Sequence, residues 1–98
     1  MINEHHSTHV VPPNHPCLAG HFPGNPIVPG VLLLEQVAHA AAAWLDESLV
    51  IHQFSNVKFL SPLRPDECLE IFLSGEQPQL RFRCECEGRL LAQGSFTT

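Results

Sequence analysis

Charge is what this sequence has least of. Only 15% of its 98 residues are Asp, Glu, Lys or Arg, against about a quarter in an ordinary soluble domain. Five Lys and Arg face ten acidic residues, a formal net charge of −5. That balance excludes the basic footprint of a nucleic-acid-binding surface. Long uninterrupted apolar runs are also missing. The richest stretch, Ile27 to Leu45, is broken by Pro29, Gly30, Glu35, Gln36 and His39 and has no basic flank, so it makes a poor membrane span. No basic-then-apolar segment opens the chain, so no signal peptide is read and a cytoplasmic location is expected. Cysteine is confined to Cys17, Cys68, Cys84 and Cys86. Without a secretory signal that even count does not license a disulfide framework, and no further ligands stand at zinc-like spacing. Buried, reduced thiols are expected instead.

What is present is a hydrophobic fraction of 44%, too high for disorder. The length suits one domain, residues 1–98, with a core of limited depth. So little charge leaves apolar surface to account for, either open to a ligand or covered by another chain.

Residues 1–7 are polar and read as a loose end, and Thr8 to Val11 as a brief β-branched strand stopped by Pro12-Pro13. From Pro12 to Pro29 six prolines stiffen a long irregular segment, the mark of a functional loop. Pro29 then suits a helix entry, and Gly30 to Leu45 is free of further Gly and Pro and rich in helix formers. That helix is apolar nearly all round, which predicts burial. Beyond it the period becomes strand-like: Val50 to Leu60, Glu67 to Ser74, Leu80 to Glu87, a turn at Gly88, and Arg89 to Thr97. Leu80, Phe82, Cys84 and Cys86 alternate with Arg81, Arg83, Glu85 and Glu87, so the two cysteines share a face. One apolar helix and several strands predict an α+β fold: an antiparallel sheet wrapped around a long central helix, the hot-dog arrangement.

Four residues could carry chemistry. Glu35 lies within the apolar helix, where burial would favour its protonated form and make it a candidate general acid; the alternative is a carboxylate at the solvent boundary. His39, four residues on, shares its face, as a structural partner or half of an incomplete metal pair. His21 stands in the stiff loop, Ala19-Gly20-His21-Phe22-Pro23-Gly24, and histidine is the usual carrier of protons near neutrality. The other histidines (His5, His6, His9, His15 and His52) read as surface residues. Gly30 opens the helix, where unpaired N–H groups and the positive dipole end can hold an anion and the missing Cβ permits close approach.

The run His21-Phe22-Pro23-Gly24-Asn25-Pro26-Ile27-Val28-Pro29-Gly30-Val31-Leu32, followed by Glu35, resembles the signature of the 3-hydroxyacyl-(acyl-carrier-protein) dehydratases of the FabZ/FabA type. The likeness is strongest from about His15 to Trp44. It continues more weakly through Asn56 to Phe59, Pro62 to Ile71 and Gly94 to Phe96. The resemblance implies a hot-dog fold and elimination of water from a 3-hydroxyacyl thioester, with no metal or organic cofactor. It implies that His21 removes the C2 proton and Glu35 delivers a proton to the departing hydroxyl. The Gly30 N–H, with that of Phe22, would polarise the thioester carbonyl, and the Ile27 carbonyl would hold the His21 ring. It also implies an acyl-carrier-protein partner and a dimer or larger assembly in which His21 and Glu35 come from different subunits. Lys58 and Arg64 are the cations first expected to steer the acidic carrier.

Glu at position 35, rather than the Asp of the FabA branch, points to plain dehydration without isomerisation. Two departures stand out. His39 occupies a position that is commonly Gln in the family, and a charged imidazole there would favour the carboxylate form of Glu35. The chain also begins later than typical FabZ proteins, as short relatives from specialised pathways such as aryl polyene synthesis do. A hot-dog acyl thioesterase and a non-catalytic carrier-binding subunit are the competing readings.

Overall fold

The computed structural model describes residues 3–10 and 28–98. His21, Phe22, Ile27 and Cys17 lie outside the described residues. The elements run β1 (Glu4–Val10), α1 (Gly30–Trp44), β2 (Gln53–Phe59), β3 (Cys68–Glu76), β4 (Gln79–Cys86) and β5 (Arg89–Thr97). The strands form one five-stranded antiparallel sheet in the order β1-β3-β4-β5-β2. β1 and β2, which flank the helix in sequence, thus form the two edges.

The inner face follows from period-2 alternation. On β4, Leu80, Phe82, Cys84 and Cys86 are buried, while Gln79, Arg81 and Arg83 are exposed. Leu69, Ile71 and Leu73 do the same on β3. From the helix, Leu32, Leu33, Val37, Ala40 and Ala41 complete this core. Phe54, Phe82 and Phe96 cluster at 5.9–6.4 Å between ring centroids. Gly94 makes their approach possible: a Cβ there would lie 2.9 Å from the Phe82 ring and 3.1 Å from the Val57 Cα. Between β4 and β5, Cys86 pairs with Arg89, and Glu87 and Gly88 both have positive φ (49° and 79°). A two-residue turn of this hand matches strand twist, and Gly88 carries its part without steric cost.

Three expectations need correction. Residues 4–7 are not a loose end, because β1 pairs with β3 without interruption from Glu4↔Ser74 to Val10↔Cys68. A complete ladder of backbone bonds overrides the polar composition that suggested a tail. The helix is buried on one face only. Val31, Glu35, His39 and Ala43 form an exposed stripe at four-residue spacing, with Val31 74% exposed, because a single sheet can cover only one side of a cylinder. Finally, Cys68 is exposed, whereas Cys84 and Cys86 are buried free thiols as expected. Burial pushes the Cys84 thiol up to about 12.

Candidate active site

The start of α1 is fixed by the chain around it. Pro29 is its N-cap residue with extended backbone (φ −60°, ψ 146°), and no side chain caps it. The Pro29 carbonyl accepts from the Leu32 and Leu33 N–H groups at 3.0 and 3.3 Å. The Gly30 and Val31 N–H groups have no intrahelical acceptor, as at any helix start. Just before the helix, the Val28 N–H donates to the Leu63 carbonyl at 2.7 Å, tying the entry to the segment after β2. Val28 and Leu63 are both buried.

Gly30 is constrained by Phe59, at the end of β2. A Cβ on residue 30 would lie 2.8 Å from two atoms of the Phe59 ring. The glycine therefore lets an aromatic wall stand directly against the helix start. Phe59 itself remains 53% exposed, and with Val31 and Leu60 it leaves an apolar rim around that end.

Glu35 sits on the exposed helix stripe, so within one chain its carboxylate is not the desolvated group that an all-round apolar helix implied. Five residues place it about 7.5 Å along the axis from Gly30. Helical side chains tilt toward the N-terminus, which carries the carboxyl back toward the helix start. The Glu35 carboxylate and the open N–H groups of the helix start therefore lie toward the same end of α1.

His39 is also exposed and lies one turn beyond Glu35. The histidines read as plain surface residues have more defined settings. On β1, His5 stacks on Trp44 at 5.8 Å, and His9 shares a 2.9 Å hydrogen bond with the Ser7 hydroxyl. Burial, then the proximity of His39 and His5, holds the His9 pKa below the usual histidine value. His6, on the opposite face, stacks on Phe72 at 4.5 Å and lies 3.3 Å from a Glu70 carboxylate oxygen. The alternating β1 sequence could have revealed that His5 and His9 share one side and His6 the other. Among the described residues no group of three His, Cys, Asp or Glu side chains is arranged to hold a metal ion.

Lys58 and Arg64 are both exposed; Arg64 follows Leu63, a contact of the helix entry, whereas Lys58 alternates with Phe59 and lies with Arg81, Arg83 and Gln93 on the face of the sheet turned away from α1. The Arg64 N–H donates to the Glu67 carboxylate at 2.8 Å, leaving its guanidinium out of that bond.

Residues 2–95 match the family model described as ApeI-like, ApeI dehydratase. The chain belongs to the ApeI-like dehydratase family. Among curated relatives, the FabZ 3-hydroxyacyl-(acyl-carrier-protein) dehydratase of Caulobacter sp. (strain K31) is 34% identical over 67 residues, covering 59% of this chain and 41% of that protein. The FabZ of Thermomicrobium roseum is 37% identical over 95 residues, covering 85% of this chain and 64% of its own length. The chain thus spans between about two-fifths and two-thirds of these relatives. Among solved structures, the dehydratase heterocomplex ApeI:P from Xenorhabdus doucetiae superposes with a TM-score of 0.84 at 27% identity, covering 96% of this chain and 85% of that one. The ApeI-like chain accordingly has the hot-dog fold, one helix packed on an antiparallel sheet. No helix among the described residues is long and apolar enough to cross a membrane.

Proposed function

We propose that this ApeI-like chain dehydrates a 3-hydroxyacyl thioester, presented by an acyl carrier protein, to the trans-2-enoyl thioester. The observation that carries the reading is the placement of Glu35 on the open side of α1, behind a glycine-opened helix start, in a chain whose family is a dehydratase family. The thioester carbonyl accepts hydrogen bonds from the Gly30 and Phe22 N–H groups, where the positive helix end stabilises charge developing on oxygen. His21 takes the C2 proton, its ring held by the Ile27 carbonyl. The C2–H electron pair forms the C2–C3 double bond, and the C3–O bond breaks as Glu35 donates a proton to the leaving hydroxyl, releasing water. His39 orients the Glu35 carboxyl.

A carboxylate exposed in one chain is well suited to a site completed by a second. In the proposed dimer the exposed helix stripe is covered and His21 of one copy meets Glu35 of the other. Covering that stripe excludes water from the site. Arg64, which follows Leu63 at the helix entry, steers the acidic carrier to it. The reaction serves fatty-acid or aryl polyene synthesis in the cytoplasm and needs no metal or organic cofactor.

The test is to incubate the purified protein with 3-hydroxyacyl carrier-protein thioesters of several chain lengths, following enoyl thioester and free thiol. Enoyl product supports dehydration. Free thiol without enoyl product identifies a thioesterase, and neither product with any substrate identifies a carrier-binding subunit; both outcomes overturn the proposal.

A further inference from the structure

Phe59 stands where the alternation of a regular strand would not put it. Phe54 packs against the core, and an odd step along β2, from Phe54 to Phe59, would point the later side chain to the opposite face. β2 is not regular. Its register against β5 shifts between Ser55 and Lys58, and Asn56 has a positive φ of 55°. Asparagine tolerates that conformation, and the extra residue turns the rest of the strand over. Phe59 is thereby paired with the buried Ala92 and faces the helix, while Lys58 pairs with Gln93 on the outer face. Bulges re-aim side chains in this way, often beside active sites.

The backbone beyond the ring is pinned. The Leu60 and Ser61 N–H groups both donate to the Leu91 carbonyl, at 2.7 and 3.2 Å, and the Leu63 carbonyl then holds the Val28 N–H at the helix entry. The ring tip thus has a set position against Gly30, where a Cβ would lie 2.8 Å from both Cε1 and Cζ. Within a helix the N–H and the Cα–Cβ direction of one residue both incline toward the N-terminus. The ring therefore flanks the approach to the Gly30 N–H. Phe54, Phe82 and Phe96 pack on one another, but Phe59 is 53% exposed and keeps a side free for a ligand.

A carbonyl oxygen bound at that N–H brings its neighbours, the sulfur and C2, up to the ring. A thioester is planar about its carbonyl carbon. The C2–H bond that breaks stands roughly perpendicular to that plane, so that its electron pair overlaps the carbonyl. The two other substituents of C2 then lean to the far side. We propose, resting on the dehydratase reading of the helix start, that Phe59 determines specificity: its ring stands on that far side, as a wall behind the thioester, and excludes acyl groups branched at C2. One of the two leaning substituents is C3, and beside the ring the other has room only for hydrogen. The substrates selected are 3-hydroxyacyl thioesters with an unsubstituted C2.

The test compares 3-hydroxybutanoyl with 2-methyl-3-hydroxybutanoyl carrier-protein thioesters, each C2 epimer of the latter separately, in wild type, Phe59→Ala and Phe59→Leu. One carbon too many in a fitted site is worth about 10–200-fold. Wild type is expected to favour the unbranched substrate over the better epimer by about tenfold or more in kcat/KM. Phe59→Ala is expected to remove most of that preference by gaining rate on the branched substrate. Phe59→Leu, which keeps an apolar side chain without the ring, should fall between the two; circular dichroism verifies that both variants fold. A second comparison needs no turnover. Amide-linked pantetheine conjugates of butanoic and 2-methylbutanoic acid carry neither a 3-hydroxyl to eliminate nor a thioester to cleave. Calorimetry is expected to show wild type binding the unbranched conjugate more tightly, and Phe59→Ala binding both alike. Absence of enoyl product from every substrate would sink the dehydratase reading, and the conjugates would still decide for or against the wall. The wall is overturned by equal use or equal binding of branched and unbranched forms in wild type, by no binding of either conjugate, or by an unchanged preference in the folded variants. A change in solution mass in the variants would make the ring a subunit contact instead, and also overturns it.

Discussion

Glu35 combines little structural contribution with the acid role proposed for it. Its side chain is exposed and takes part in no ion pair among the described residues, so Glu35→Gln removes the donated proton without opening a hole in the core. A positioned acid or base contributes about 10²–10⁴-fold. Glu35→Gln and His21→Ala are each expected to lower kcat by at least the lower end of that range, with melting temperatures close to wild type; enoyl-thioester formation measures the first and calorimetry the second. The thiols sort by the same local logic. A thiolate is the reactive form, and burial that pushes Cys84 up to about 12 keeps it a thiol at neutrality. Iodoacetamide applied to the folded protein is expected to modify Cys68 and spare Cys84 and Cys86, as peptide mass spectrometry will read.

At the scale of elements, the β5–β4 contact at Gly94 and the seating of β1 are the sensitive points. A methyl at Gly94 meets the buried Phe82 ring at 2.9 Å and the Val57 backbone at 3.1 Å, and neither can swing into solvent. Overpacking of this kind costs about 1–3 kcal/mol, so Gly94→Ala should show a lowered urea midpoint with an unchanged m-value. β1 is an edge strand whose inner side carries His5 and His9 toward the helix. Because the folded protein holds His9 below its usual value, the unfolded chain takes up that proton first on acidification. The stability tied to neutral His9 is therefore complete above about pH 6.5 and is lost as pH falls through the lower, folded value. Melting temperature is expected to drop more steeply from about pH 7.5 to 5 in the wild type than in His9→Asn. Parallel curves would show that His9 is not responsible.

For the whole molecule, the scarcity of charge and the open helix stripe are two views of one property. A sheet that covers one side of α1 leaves Val31 and the Phe59–Leu60 corner exposed beside Glu35. In the proposed dimer a second copy covers that stripe. Sedimentation should give a mass of a dimer or larger. Coexpressed His21→Ala and Glu35→Gln chains should recover part of the activity that each lacks alone, since a mixed pair retains one intact His21–Glu35 combination. No recovery in verified mixed dimers would place both residues of a site in one subunit.

The order of elements, the helix bounds near Gly30 and Trp44, and the buried face of β4 were all legible in the sequence, because each rests on local period and on punctuation by Pro and Gly. The motif from His21 to Glu35 likewise marked its family without coordinates. Other properties depended on contacts between residues far apart in the chain. The polar run Glu4 to Ser7 became a strand only because β3 offers it a complete hydrogen-bonding edge. Glu35 became exposed only because the sheet closes over the opposite side of its helix. The Phe59 ring against Gly30, and the row His6, Phe72, Arg83, Gln93 and Lys58 across five strands, arise from register between distant segments. Periodicity along a chain says which residues share a face; what covers that face is decided by the pairing of the strands.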